Sequence, residues 1–278
     1  MPLAGKFEFL LDILKGMRKV LLAYSGGADS TLLLKSLQLA GVETLAVTAV
    51  SEIISRHDRL TAEETAKQLG TYLRVLTVDA FSNNEFVLNS AERCFICKEN
   101  LYKHLADMAS SEGYGFILDG SNSDDAADFR PGRNAASGYR VRSPLLEARF
   151  SKKEIRETSR QLGLSTWSKP SSSCLATRIP YGSKITEEVL TRIEKSEDFL
   201  RSLGFLDIRV RDHGKLARIE VGNDQINLLL DPESREKISE AFKSFGYIFI
   251  SLDMEGFRSG SMNRVLNGDC STWTIRDT

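Results

Sequence analysis

The residues Ser25-Gly26-Gly27-Ala28-Asp29-Ser30 carry the sharpest chemical signal in this 278-residue chain. They follow the apolar run Lys19 to Tyr24 and precede Ser30 to Ala40, where Leu33, Leu34 and Leu37 recur at helical spacing. A strand therefore leads into the turn and a helix leaves it. Glycines let the backbone bend until its N–H groups point inward, Ser25 and Ser30 add hydroxyls, and the helix N-terminus adds positive potential. Such a turn holds phosphate; the competing reading is a ligand-free turn of the same composition. Neither G-x-G-x-x-G nor G-x-x-x-x-G-K-[ST] occurs at this place, which disfavours a dinucleotide fold and a Walker-type kinase.

Three further groups of residues could do chemistry. Cys94 and Cys97 form a C-x-x-C pair at the start of a helical stretch, a spacing that chelates one metal or one cluster edge, and Cys174 lies in a Ser- and Pro-rich loop. Asp124 and Asp125, with Asp29, could hold Mg2+ on phosphates, because that ion takes one or two carboxylates and keeps waters; a solvated acidic loop is the alternative. Arg209 and Arg211 are two apart on an expected strand, hence on one face, where a pair of guanidinium groups can fork onto a substrate phosphate. An ordinary exposed strand face is the rival reading. His57, His104 and His213 lack metal-ligand spacing, and Cys270 in the polar tail reads as a bystander.

The S-G-G-x-D-S turn resembles the pyrophosphate loop of the ATP pyrophosphatases, which split ATP into AMP and pyrophosphate to adenylate a carbonyl or carboxylate. Three longer stretches narrow the resemblance: Arg93-Cys94-Phe95-Ile96-Cys97-Lys98, then Asp119-Gly120-Ser121-Asn122-Ser123-Asp124-Asp125 with Arg130-Pro131-Gly132, and Lys169-Pro170-Ser171-Ser172-Ser173-Cys174-Leu175-Ala176-Thr177-Arg178-Ile179-Pro180-Tyr181-Gly182. With Gly256-Phe257-Arg258-Ser259-Gly260-Ser261-Met262-Asn263, they look like the LarE family of ATP-dependent sulfur transferases over nearly the whole chain. The resemblance implies ATP and Mg2+ at Ser25, Gly26, Gly27, Asp29, Ser30 and Asp124, and substrate phosphate at Arg209 and Arg211. It implies conversion of a carboxylate of pyridinium-3,5-biscarboxylic acid mononucleotide to a thiocarboxylate, in assembly of the nickel-pincer nucleotide. Two sulfur sources stay open. Either Cys174 gives up its own sulfur and is left as dehydroalanine, or Cys94, Cys97 and Cys174 hold a 4Fe-4S cluster whose open iron carries sulfide. Other adenylating enzymes, such as a tRNA thiolase or an ammonia-using synthetase, and a non-catalytic nucleotide-binding module are the alternatives.

The elements that must position these residues alternate along the first two thirds. Strands are expected at Lys19–Tyr24, Thr44–Val50, Tyr72–Val78 and Gly115–Leu118, and helices at Ser30–Ala40, Thr61–Leu69 and Glu92–Met108. Ser151-Lys152-Lys153-Glu154 has capping-box spacing and opens another helix, stopped by Gly163. This order predicts α/β: a doubly wound parallel sheet, adenine nucleotide alpha hydrolase-like, over residues 1–168. A junction loop, 169–184, bears Cys174. Beyond it, 185–278 reads as a smaller α+β domain, ferredoxin-like if Thr177–Ile179 supplies a first strand. Lys and Arg (37) nearly balance Asp and Glu (38), which argues against a broadly basic nucleic-acid surface. Four cysteines are too few for a disulfide scaffold, and neither a secretory signal nor a membrane span is legible. The expectation is a cytoplasmic homo-oligomer acting on a small nucleotide.

Overall fold

The computed structural model describes residues 2–126, 135, 138–170, 172–258 and 260–266. Arg130, Pro131, Gly132, Ser171, Ser259 and Cys270, singled out above, lie outside the described residues. The chain divides into two compact units, one of Met1–Phe86 with Glu92–Ser172, the other of Val87–Ala91 with Ser173–Thr278.

The first unit runs α1 (Leu3–Lys15), β1 (Lys19–Ala23), α2 (Ala28–Leu39), β2 (Glu43–Val50), α3 (Arg56–Gln68), β3 (Leu73–Thr77), α4 (Asn84–Val87, at the boundary between the units), α5 (Arg93–Glu112), β4 (Phe116–Leu118), β5 (Val141–Arg142), α6 (Pro144–Glu147) and α7 (Lys152–Gln161). Its sheet has the order β3-β2-β1-β4-β5, with every pair parallel. The two-residue period of β1 shows why both faces are covered. Val20 and Leu22 point to one side, where they pack with Leu10, Leu33 and Leu37 from α1 and α2. Leu21 points to the other, with Tyr102 and Leu105 of α5. The sheet is therefore doubly wound. The capping box of α7 forms as its sequence predicts, with Ser151 Oγ accepting from the Glu154 N–H and Glu154 accepting from the Ser151 N–H.

The second unit contains α8 (Glu187–Ser202), β6 (Ile208–His213), β7 (Leu216–Val221), α9 (Ile226–Leu230), α10 (Pro232–Ser244) and β8 (Phe249–Leu252). β6 and β7 are antiparallel and β8 runs parallel to β7, over a core that includes Leu200, Val210, Ile219, Ile238, Phe242 and Tyr247. Thr177–Ile179 is not a strand: Leu175–Arg178 forms a 3-10 turn, so the ferredoxin-like variant falls. Asn89 explains why the short Val87–Ala91 segment belongs here. Its amide donates to the carbonyls of Pro180 (2.8 Å) and Ser183 (2.9 Å), and its own carbonyl accepts from the Gly182 N–H.

Candidate functional site

Strand order reverses between β1 and β4. The loops leaving the C-terminal ends of these two strands diverge there, and such a switch point is where open α/β sheets take ligands. The loop after β1 is Tyr24 to Gly27. Gly26 has φ +67°, and a Cβ there would lie 2.5 Å from Ala62 Cα of α3, so only glycine lets the turn close. Gly27 caps α2, its carbonyl accepting from the Thr31 N–H at 3.0 Å. Ser25 and Ser30 face each other with hydroxyls 3.1 Å apart. The loop after β4 comes up against this turn: a Cβ on Gly120 would meet Ser30 N at 3.1 Å and Asp29 Cβ at 3.2 Å.

Asp29 sits in the first turn of α2 with one carboxylate oxygen on Lys152 Nζ at 2.5 Å. Its other oxygen, Oδ1, is buried with no hydrogen-bond partner among the described residues. Burial raises the Asp29 pKa above its ordinary value, against the pull of Lys152. A buried, unpartnered carboxylate oxygen beside backbone N–H groups and hydroxyls fits a cation carried in on phosphates. Asp124 and Asp125 are less available. Asp124 Oδ2 accepts from the Lys152 N–H (2.8 Å) at the start of α7, and Asp125 Oδ2 from the Asn122 N–H (3.1 Å). Asp119 closes the same loop by accepting from Tyr102, Ser121 and Ser143 hydroxyls.

Lys152 and Lys169, quoted above only within longer stretches and given no role, both meet this turn. Lys169 Nζ donates to the Gly26 carbonyl at 3.1 Å, and burial lowers its pKa despite the nearby Asp58 carboxylate. Arg156 holds the Lys169 carbonyl at 2.8 Å, and Ser172 Oγ donates to Asp58 at 2.6 Å. Burial favours protonation of Asp58, yet the Ser172 and Ser55 hydroxyls and the Lys169 charge hold its pKa below the ordinary value. The place of Lys169 before the Ser-rich run was the available signal.

Cys94 and Cys97 lie one turn apart at the start of α5 in the first unit, half-buried, while half-buried Cys174 belongs to the second. All three are free of disulfides. Among the described residues no three His, Cys, Asp or Glu side chains form a group able to hold a metal ion. Arg209 and Arg211 do share a face of β6, but that face is buried, at 7% and 4% exposure. The Arg211 fork lies on Glu220 (2.9 and 2.6 Å), with further bonds to the Thr177 carbonyl and Ser261 Oγ. Arg209 stacks over Phe257, 4.8 Å from the ring centre. The solvated-face reading is thereby removed.

A parallel five-stranded sheet with a glycine- and serine-lined turn at its switch point, joined to a small separate three-stranded sheet, defines an α/β protein of the PP-loop kind. No protein-family model matches the chain. It is 38% identical to an uncharacterized protein of Synechocystis sp. over 95% of this chain and 99% of that one. It is 36% identical to the pyridinium-3,5-bisthiocarboxylic acid mononucleotide synthase of Lactiplantibacillus plantarum, covering 95% and 96%. An uncharacterized protein of Methanocaldococcus jannaschii is 33% identical over 87% of this chain and 92% of its own length. The chain belongs to the LarE-type synthase family. Among the described residues no helix is long and apolar enough to cross a membrane.

Proposed function

We propose that this protein uses ATP to adenylate a carboxylate of pyridinium-3,5-biscarboxylic acid mononucleotide and converts it to a thiocarboxylate, a step of nickel-pincer nucleotide biosynthesis. The chain-length kinship to a synthase named for the bisthiocarboxylic product supports the substrate class. Asp29 Oδ1 in the Ser25–Ser30 turn, buried and without a hydrogen-bond partner among the described residues, is the observation that carries the nucleotide half. A carboxylate oxygen is a poor leaving group, so sulfur can replace it only after activation. Attack of the carboxylate on the α-phosphate of ATP gives the acyl-adenylate and pyrophosphate. The turn's N–H groups with Ser25 and Ser30 cradle the phosphates, and the Lys152 and Lys169 ammonium groups offset the charge of the departing pyrophosphate. Mg2+ held by Asp29 would add charge neutralisation on the same oxygens.

Sulfur then comes from Cys174. Its thiolate attacks the acyl carbon and expels AMP, giving a thioester. Removal of the Cys174 α-proton with cleavage of its Cβ–S bond releases the thiocarboxylate and leaves dehydroalanine. Arg209 and Arg211 are assigned to the substrate's phosphate, as the family resemblance implies, with the Arg211 guanidinium held in orientation by Glu220. Product analysis tests the reading: AMP and pyrophosphate are expected from wild type with ATP and substrate, and Asp29→Asn is expected to stop their release while remaining folded. ADP and orthophosphate as products would overturn it. Arg211→Lys is expected to raise the KM for substrate while leaving ATP affinity unchanged.

A further inference from the structure

The second unit holds a buried ion pair that the proposed chemistry does not use. Arg178, 2% exposed, forks onto Glu197 with Nε at 2.9 Å from Oε1 and Nη2 at 3.1 Å from Oε2. Its third nitrogen, Nη1, faces the loop that carries the thiol. It donates to the carbonyl of Ser173 (2.5 Å), the Ser173 hydroxyl (3.0 Å), the carbonyl of Cys174 (2.9 Å) and Thr177 Oγ1 (3.1 Å). Thr177 Oγ1 in turn donates to the Cys174 carbonyl at 2.8 Å. One planar group therefore gathers the acceptors of Ser173, Cys174 and Thr177 around itself.

Glu197 is fully buried and reaches further. Its Oε1 accepts from the Val210 N–H at 3.1 Å, the residue of β6 between Arg209 and Arg211, and its Oε2 accepts from Arg201 at 3.1 Å. Arg211 Nη1 closes the circuit on the Thr177 carbonyl at 3.2 Å. Within this one unit, then, the backbone on both sides of Cys174 is tied to the strand bearing the two arginines. A fold needing only to bury residue 178 would take an apolar side chain there without the desolvation that two buried charges demand.

We infer that Arg178 is a positioning residue for sulfur transfer, setting the shape of the Cys174 loop through the Glu197 pair. The inference rests on Cys174 being the sulfur donor. A lysine keeps the charge but has one nitrogen and no planar fork, so it cannot satisfy Glu197 and the four loop acceptors together. A displacement of about 1 Å at a reacting atom is enough for a loss of about a hundredfold.

The experiment splits the two half-reactions in Arg178→Lys protein that is folded by circular dichroism. ATP-pyrophosphate exchange in the presence of substrate reads adenylation, and thiocarboxylate formed in a single turnover reads transfer. The expected result is transfer slowed about tenfold to a hundredfold with exchange within twofold of wild type. Equal loss in both half-reactions, or unchanged transfer, overturns the inference. If Arg178→Lys does not fold, Thr177→Val, which removes the hydroxyl bridging Arg178 and Cys174, is measured instead; it must slow transfer selectively or the inference falls. Cys174→Ala is run alongside. Thiocarboxylate formation by that variant sinks the donor assignment itself, whatever Arg178→Lys does.

Discussion

Lys169 and Asp29 place opposite charges against the same turn, and each makes a prediction at the level of a single side chain. The Lys169 ammonium rests on the Gly26 carbonyl, a neutral acceptor, in a site where burial disfavours its charge. Phosphate oxygens compete well for such a group, because a hydrogen bond between ions is about twice as strong as one between neutral partners. Lys169→Met is therefore expected to weaken ATP binding about tenfold or more, with AMP affinity changing less than twofold, as titration calorimetry would read. Equal weakening of both nucleotides would place the lysine's effect on the fold of the turn. Gly26 allows no such graded outcome. Its positive φ and the approach of Ala62 mean that Gly26→Ala must move α3 or reopen the turn, so loss of ATP binding with a lowered melting temperature is expected.

At the scale of elements, α7 supplies both Lys152 and the cap that fixes where its helix begins. Glu154 accepts from Lys6 of α1 at 2.6 Å and from the Ser151 N–H, and these bonds lower its pKa from 4.5 to about 2. A carboxylate depressed in the folded state stabilises above its unfolded value and loses that contribution as pH falls through the folded one. The advantage of wild type over Glu154→Gln in thermal melts is thus expected to be full at neutral pH and to vanish between about pH 4.5 and 2. Ser151→Ala, which removes the N-cap acceptor, should cost about 1 kcal/mol.

The capping box was legible because its spacing is local, and β1, β2 and β4 were legible because strands buried on both faces are continuous apolar runs. Other elements were not. α1 mixes Lys and Glu with its leucines, and β5 is two residues long, too short for any period to show. Thr177–Ile179 was offered as a first strand because its residue types permit one; the segment turns instead, with the Arg178 guanidinium bound to Glu197 well over a dozen residues later. The pairing of Arg211 with Glu220 joins residues on two different strands, which no spacing within one strand reveals, so the rival reading of an exposed face for Arg209 and Arg211 gave way to a buried one.

For the whole molecule, the turn after β1 was readable as a tight glycine turn from strand to helix before any fold was known, whereas the number of turnovers a chain performs is written in no motif. On the proposed route the sulfur of Cys174 itself is transferred, and the protein is consumed. Each chain that transfers the Cys174 sulfur ends with dehydroalanine at that position. Intact mass spectrometry should find spent protein lighter by one hydrogen sulfide, in amount equal to the thiocarboxylate formed. Cys94→Ala and Cys97→Ala should each retain that single event, since neither thiol takes part, and Cys174→Ala should retain none. Added sulfide should not raise the yield above one per chain, because the acyl-adenylate is met by the Cys174 thiolate held in its loop. Repeated turnover with sulfide and no change in mass would instead make the sulfur an exogenous one, and loss of activity in all three cysteine variants would then restore a shared role for Cys94, Cys97 and Cys174.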